Sequence, residues 1–290
     1  NLSYEQQLDW KMKDLNRLLG EYGEVSRIIP MEDPTGYRCK VQAVFRSDRN
    51  GNIISGVYQS SRNGIVGIDR CMINDPRADE IIVGIRGLMR SFRIRPWDPG
   101  TDRGFVKHVL VRIGRNTGEI LVNIVGAVPM FPKKRDFTAA LVKKFPAIKT
   151  VTYSVNRSPE FLTLGDHAET LYGDGYIIDE ICGKRFRISP QSFYQVNPQQ
   201  AERLYSYAVD AAALKESDTL LDAYSGTGTI AQILAPVAEK VVGVEIVEEA
   251  VEAARENAAR NGLGNCEFLA GDVLKVVDEL EEKPDLIVLD

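Results

Sequence analysis

From Ser217 to the last residue, short apolar runs alternate with stretches of helical spacing, and a glycine pair follows the first run. The opening stretch reads Leu220-Leu-Asp-Ala-Tyr-Ser-Gly-Thr-Gly-Thr-Ile230. The spacing predicts strands over 219–223, 241–245, 266–270 and 286–290, with helices over 229–238, 247–261 and 274–282. Asn261-Gly262 ends the middle helix, because both residues tolerate the left-handed turn that stops one. Strand–helix units repeated in this way specify a doubly wound parallel sheet. Such sheets take ligands at the carboxyl ends of their strands.

Gly226-Thr-Gly228 followed by Ala231 also satisfies the dinucleotide fingerprint, so spacing has to separate the readings. A dinucleotide loop needs its first glycine directly after the strand, where backbone amides reach a pyrophosphate. Here Asp222 ends the strand and three residues intervene, which places an acid at the mouth of the pocket. A carboxylate there repels pyrophosphate and suits a cationic ligand. Glu245 ends the second strand, where it can accept both hydroxyls of a ribose. Gly271-Asp272 follows the third, where a short acid can accept from an adenine amine. Glycine loop, ribose acid and adenine acid in this order describe S-adenosylmethionine (SAM). A nicotinamide dehydrogenase is disfavoured by the same spacing.

The net charge of -5 hides an asymmetry. Residues 188–290 hold 7 Lys/Arg against 19 Asp/Glu, whereas residues 1–187 carry a surplus of 7 positive charges. One reading is two solvated surfaces of opposite sign; the other is that the front half meets a polyanion. Arg86, Arg90, Arg93 and Arg95 recur there at helical spacing, and Lys133-Lys134-Arg135 forms a second basic group; a merely solvated face is the other reading of each. The first residues, Asn1-Leu-Ser-Tyr-Glu-Gln-Gln-Leu-Asp-Trp-Lys11, lack the apolar core of a signal peptide, and no stretch approaches the eighteen or so apolar residues of a membrane span. Cys39, Cys71, Cys182 and Cys266 are scattered, which argues against a disulfide framework and for a reducing, cytoplasmic setting. Neither His108 nor His167 has an acid–nucleophile constellation beside it, so both are read as structural.

Phe186-Arg-Ile-Ser-Pro-Gln-Ser-Phe-Tyr-Gln-Val-Asn197, Ala201-Glu-Arg-Leu-Tyr205, the glycine loop and Val242-Gly-Val-Glu245 together resemble the RNA (uracil-5-)-methyltransferase family, most closely its 23S rRNA branch. Pro34-Thr-Gly-Tyr-Arg38, Gly67-Ile-Asp-Arg-Cys71, His108-Val-Leu-Val-Arg-Ile-Gly114 and Leu171-Tyr-Gly173 extend the resemblance over nearly the whole chain. It implies part of a SAM-dependent, Rossmann-like methyltransferase domain over residues 187–290, preceded by an α+β, RNA-facing central domain over residues 1–186 with an N-terminal helix. It assigns Gln195, Tyr224, Thr229, Glu245, Asp272 and Asp290 to SAM. Phe193 falls to the substrate side, with core filling as the other reading of Phe193 and Tyr194. Ser225 stands where many members have Cys. Cys71 matches the fourth ligand of a [4Fe–4S] cluster in members that carry one, a buried free thiol being the alternative.

The implied reaction is C5-methylation of a uridine. A cysteine thiolate adds to C6, C5 attacks the sulfonium methyl group, and a general base removes the C5 proton as the cysteine is expelled. The target base leaves its stack, which favours single-stranded RNA. The family's nucleophile follows a Asp-Pro-Pro-Arg motif that Asp290 would open, and none of the four cysteines here has the nucleophile's context. The other three cluster cysteines would precede Asn1. The expectation is therefore an internal piece of a longer enzyme, inactive alone, acting on 23S rRNA. The segment around Cys71 and a long insert over 75–180 point to rRNA. A tRNA substrate, or a SAM- and RNA-binding module without turnover, are the alternatives.

Overall fold

Helix α1 (Tyr4–Leu19) opens the chain, closed at its start by Ser3 and Gln6 as a reciprocal capping box. Seven strands then form one sheet: β1 (Lys40–Ser47), β2 (Ile53–Tyr58), β3 (Ile65–Gly67), β4 (Val106–Ile113), β5 (Ile120–Gly126), β6 (Ile148–Val155) and β7 (Ala168–Tyr172). Their spatial order is β3-β2-β1-β4-β5-β6-β7. Every neighbouring pair is antiparallel except β5–β6, which is parallel. Helix α2 (Pro76–Phe92) links β3 to β4, and α3 (Lys134–Lys144) makes the crossover that a parallel pair requires. This is a computed structural model, and it describes residues 2–59, 64–157, 164–165, 168–280 and 283–289.

Both helices cover one face of the sheet. Phe45, Ile85, Met89, Val109, Val122 and Phe137 meet there in the main core, and Phe131 packs edge-on to Phe137 at 5.2 Å. Strands β4 and β5 are buried along their whole lengths, so their second face is covered too. That face is unusually polar. His108 and Arg112 lie on it, and Asn123 donates to Ser154 Oγ at 2.9 Å while accepting from Thr152 Oγ1 at 2.8 Å.

A hairpin, β8 (Ile177–Ile181) and β9 (Lys184–Ile188), joins the two sheets. Its residues Ile177, Ile181, Phe186 and Ile188 form one hydrophobic cluster with Leu121 of β5 and with Tyr194, Ala201, Tyr205 and Ile233 further along the chain. Helix α4 (Pro198–Ala212) follows, started by the Asn197 side chain as N-cap and by Pro198, whose missing N–H costs nothing at a first turn.

The last part is the doubly wound arrangement. Strands β10 (Thr219–Ala223), β11 (Lys240–Glu245), β12 (Cys266–Ala270) and β13 (Leu286–Leu289) are all parallel, in the order β12-β11-β10-β13. Helices α5 (Thr229–Leu234), α6 (Glu248–Arg260) and α7 (Val273–Glu279) alternate with them. The expected helix over 229–238 is shorter as an α-helix, because Pro236 turns its end into a 3₁₀ turn over Ala235–Val237.

Candidate functional site

The carboxyl ends of β10 and β11 form the floor of two adjoining cavities of about 320 and 330 Å³. The first is lined by Gln195, Tyr205, Asp222, Tyr224, Thr229 and Glu245, among others. The second lies toward the first turn of α6 and includes Arg187, Ser192 and Glu249. Phe193, Gly226, Thr227 and Glu245 border both, and Phe193 is 70% exposed, a ring standing between two cavities rather than filling a core.

The loop after β10 is shaped by three residues in the left-handed region: Tyr224 (φ 64°), Gly226 (φ 54°) and Gly228 (φ 75°). Such a conformation strains a tyrosine and persists only where surrounding contacts enforce it. Ser225 N–H donates to Val244 C=O and Gly228 N–H to Ser225 C=O, which pins the loop to β11. A Cβ on Gly228 would sit 2.7 Å from the Phe268 ring, so this glycine lets β12 pack beneath the loop. A Cβ on Gly226 would meet nothing within 4 Å; there the backbone faces open space at the cavity.

Glu245 is fixed by backbone donors. Gly226 N–H reaches Oε2 at 3.0 Å and Val247 N–H reaches Oε1 at 2.9 Å. Each carboxylate oxygen keeps acceptor capacity, so the pair can take two adjacent hydroxyls. Asp222 departs from the expected position at the mouth of the pocket. It is 2% exposed and forms part of the floor, where Oδ2 accepts Ala231 N–H at 2.9 Å in the first turn of α5. The reason is that helix: its free N–H groups draw the carboxylate inward.

Gln195, Tyr224, Thr229 and Glu245 are thus brought to one cavity, with Phe193 at its border. Asp272 is not among the lining residues of either cavity; it caps α7 by accepting Leu274 N–H at 3.1 Å. Asp290 and His167 lie outside the described residues. His108 is fully buried in β4 and lines neither cavity. Thr227, Tyr205, Arg187 and Ser192 line the cavities without having been singled out, although all four lie inside or beside the quoted motifs.

None of the four cysteines lines either cavity. Burial pushes the Cys39 thiol up to about 12 and that of Cys266 up to about 11, and it raises that of Cys182. Cys71 donates its backbone N–H to Asp79 Oδ2 at 2.7 Å. Among the described residues no group of three or more metal-ligating side chains forms, so they do not by themselves make a cluster site around Cys71. No helix among them is long and apolar enough to cross a membrane.

A parallel sheet with a glycine turn and a fixed acid at adjacent strand ends defines a methyltransferase-type domain, and residues 214–290 match the family described as a methyltransferase domain. Over its whole length the chain is similar to proteins named as uncharacterized RNA methyltransferases. One from Halalkalibacterium halodurans is 38% identical over 96% of this chain and 61% of its own length. Another, from Oceanobacillus iheyensis, is 36% identical over 100% of this chain and 65% of its own length. The chain thus spans less than two thirds of these relatives. Among solved structures, the Pyrococcus abyssi tRNA (uracil-54, C5)-methyltransferase in complex with S-adenosyl-L-homocysteine superposes with a TM-score of 0.81 at 27% identity, over 99% of this chain and 67% of that one. The chain is thus a relative of proteins named as RNA methyltransferases, matched to them over its whole length.

Proposed function

We propose that this chain is the cofactor-binding and RNA-facing part of a SAM-dependent RNA (uracil-5-)-methyltransferase. The observation that carries the reading is the convergence of Gln195, Tyr224, Thr229 and Glu245 on one cavity at the strand ends. When bound, SAM supplies an electrophilic methyl group. Glu245, held by two backbone amides, would take the ribose hydroxyls, and the bare backbone at Gly226 lets the ligand approach closely. Asp222, close beneath, favours the positively charged methionyl end. Gln195 and Tyr224 would border that end, with Phe193 on the side of the target base. Asp272 and Asp290 stay assigned to the adenine side on the strength of the resemblance.

The nucleophile is proposed to be none of Cys39, Cys71, Cys182 and Cys266. None of them lines either cavity, and burial keeps three of them protonated at neutral pH. The boundary near residue 187 is proposed at the end of the hairpin, with the front sheet facing RNA in the cytoplasm.

For the substrate, 23S rRNA is the reading proposed from the sequence. A tRNA substrate is the second reading, favoured by one observation. The likeness to a tRNA (uracil-54, C5)-methyltransferase covers 99% of this chain, so it takes in the segment 75–180 that had pointed to rRNA. The whole protein with labelled SAM and transcripts of both RNAs decides between them. Label in 23S rRNA alone supports the first reading, and label in tRNA alone replaces it with the second. Binding of SAM and RNA without label in either would leave a binding module.

A further inference from the structure

The segment Ser189–Val196 forms one wall of both cavities, yet it belongs to neither sheet. It is held from the front. Arg112, in β4, donates through its Nη2 to the carbonyl oxygens of Pro190, at 3.1 Å, and Ser192. Cys39 N–H donates to Val196 C=O at 2.9 Å, and Tyr194 Oη reaches Asp179 Oδ2 at 3.4 Å. Asp179 is itself fixed by the backbone N–H groups of Arg115, Asn116 and Thr117 in the loop after β4.

We infer that Arg112 is a positioning residue for the cofactor cavity, holding the Ser189–Val196 wall so that Phe193 and Gln195 stand at the cavity. This rests on the proposed function, since it presumes that the cavity binds SAM.

Energetics make Arg112 conspicuous. It is 3% exposed, and among the described residues its Nε finds no hydrogen-bond partner and its guanidinium no carboxylate partner. Burial lowers its pKa to about 10, which still leaves it charged at neutral pH. A buried charge without a counter-ion is costly, and an apolar side chain of the same length would serve packing as well or better. What an apolar side chain could not do is take two carbonyl oxygens, on either side of Gln191, at once. The Ser192 carbonyl immediately precedes Phe193 and that of Pro190 lies two residues further back, so the guanidinium fixes where the ring and the Gln195 amide stand. An RNA phosphate contact is the obvious competing role for an arginine in the basic half. At 3% exposure, behind the wall it binds, Arg112 has no path to a phosphate.

The test uses Arg112→Lys in the whole protein, because a lysine keeps the charge but lacks the planar fork. S-adenosylhomocysteine binding by calorimetry should weaken roughly tenfold, the KM for SAM should rise with kcat little changed, and cofactor-free RNA affinity should stay as it was. Hydrogen exchange in the peptide covering Ser189–Val196 should quicken, while β4 and β10 keep their protection. Unchanged cofactor affinity together with unchanged exchange overturns the inference, and so does a loss confined to RNA affinity. If the parent protein fails to bind S-adenosylhomocysteine, the proposed function falls, and exchange alone then decides whether Arg112 holds the wall. Should Arg112→Lys not fold, Tyr194→Phe carries the test. Removing its hydroxyl should move both readouts the same way by less, and no movement in either overturns the clamp.

Discussion

Glu245 and His108 are both titratable groups at strand positions, and their surroundings give them opposite uses. Glu245 has a backbone amide on each oxygen, so the carboxylate is aimed before any ligand arrives. A pair of charge-assisted hydrogen bonds to a ribose contributes roughly 2–3 kcal/mol, so Glu245→Ala should weaken S-adenosylhomocysteine binding roughly 30- to 150-fold by calorimetry. An unchanged dissociation constant removes Glu245 from the site. His108 is buried, and among the described residues neither ring nitrogen has a hydrogen-bond partner. Burial first, then the charges of Lys107 and Arg46, lower its pKa from 6.5 to about 4. The unfolded chain therefore takes up a proton that the folded chain refuses. This cost is absent above pH 6.5 and grows as the pH falls toward 4, where it amounts to about 3 kcal/mol. Denaturant melts of His108→Leu should show no loss of stability at pH 7.5 and a shallower decline than the parent between pH 6.5 and 4.5. A decline equal to the parent's would place the acid sensitivity elsewhere.

At the level of elements, the second half was legible because each of its strands is a short apolar run bounded by a turn or a cap. The expected strand over 266–270 coincides with β12, and those over 219–223 and 241–245 with β10 and all but the first residue of β11. The front half resisted the same reading. Val106–Ile113 is buried throughout yet carries Lys107, His108 and Arg112, so its polar letters mark a covered second face rather than solvent. Which side chains close that face depends on partners far along the chain, such as Pro190 and Ser192 for Arg112, and no local pattern announces them. Nor did spacing show that Asn257 of α6 and Asn261, which caps its end, dock the edge of β9. Asn257 Oδ1 accepts Arg187 N–H, and Asn261 bonds both backbone groups of Arg185. One such unforeseen contact has a measurable consequence. A Cβ on Gly243 of β11 would lie 2.5 Å from the Phe268 ring of β12 and 2.9 Å from Ser225 Oγ. Gly243→Ala should therefore cost about 1–3 kcal/mol by overpacking and loosen the glycine loop above it. Combining it with Phe268→Leu should recover part of that loss in a double-mutant cycle. Strict additivity of the two changes would show that they do not share this contact.

Across the whole molecule, the surplus of 7 positive charges in residues 1–187 and the deficit of 12 in residues 188–290 put attraction and repulsion for a polyanion on different parts of one body. If the front sheet receives RNA, the acidic half repels the flanking phosphates and leaves the extruded base as the part that enters the cavity. The basic residues are not equivalent in this. Arg86 is 11% exposed and paired with Asp69, and Lys134 is paired with Glu169, so neither is available without breaking an ion pair. Arg90, Arg93 and Arg95 are exposed around the end of α2, where Arg93 makes the left-handed cap. RNA binding should weaken steeply with salt, by roughly 0.7 logarithmic units per tenfold salt for each phosphate neutralised on a single strand. Replacing Arg90, Arg93 and Arg95 together by Ala should lower that slope by up to roughly 2 units. Arg86→Ala should leave the slope nearly unchanged and cost at most about 1 kcal/mol of stability, since Asp69 is 77% exposed and stays solvated. Replacing Glu248 and Glu252 of α6 by Gln should strengthen binding slightly at low salt and not at high salt, as expected for screened repulsion. Filter binding on the whole protein across salt concentrations reads all three effects. A flat titration of the parent would reduce the charge asymmetry to two solvated surfaces. A slope indifferent to Arg90, Arg93 and Arg95 would move the RNA path away from the end of α2.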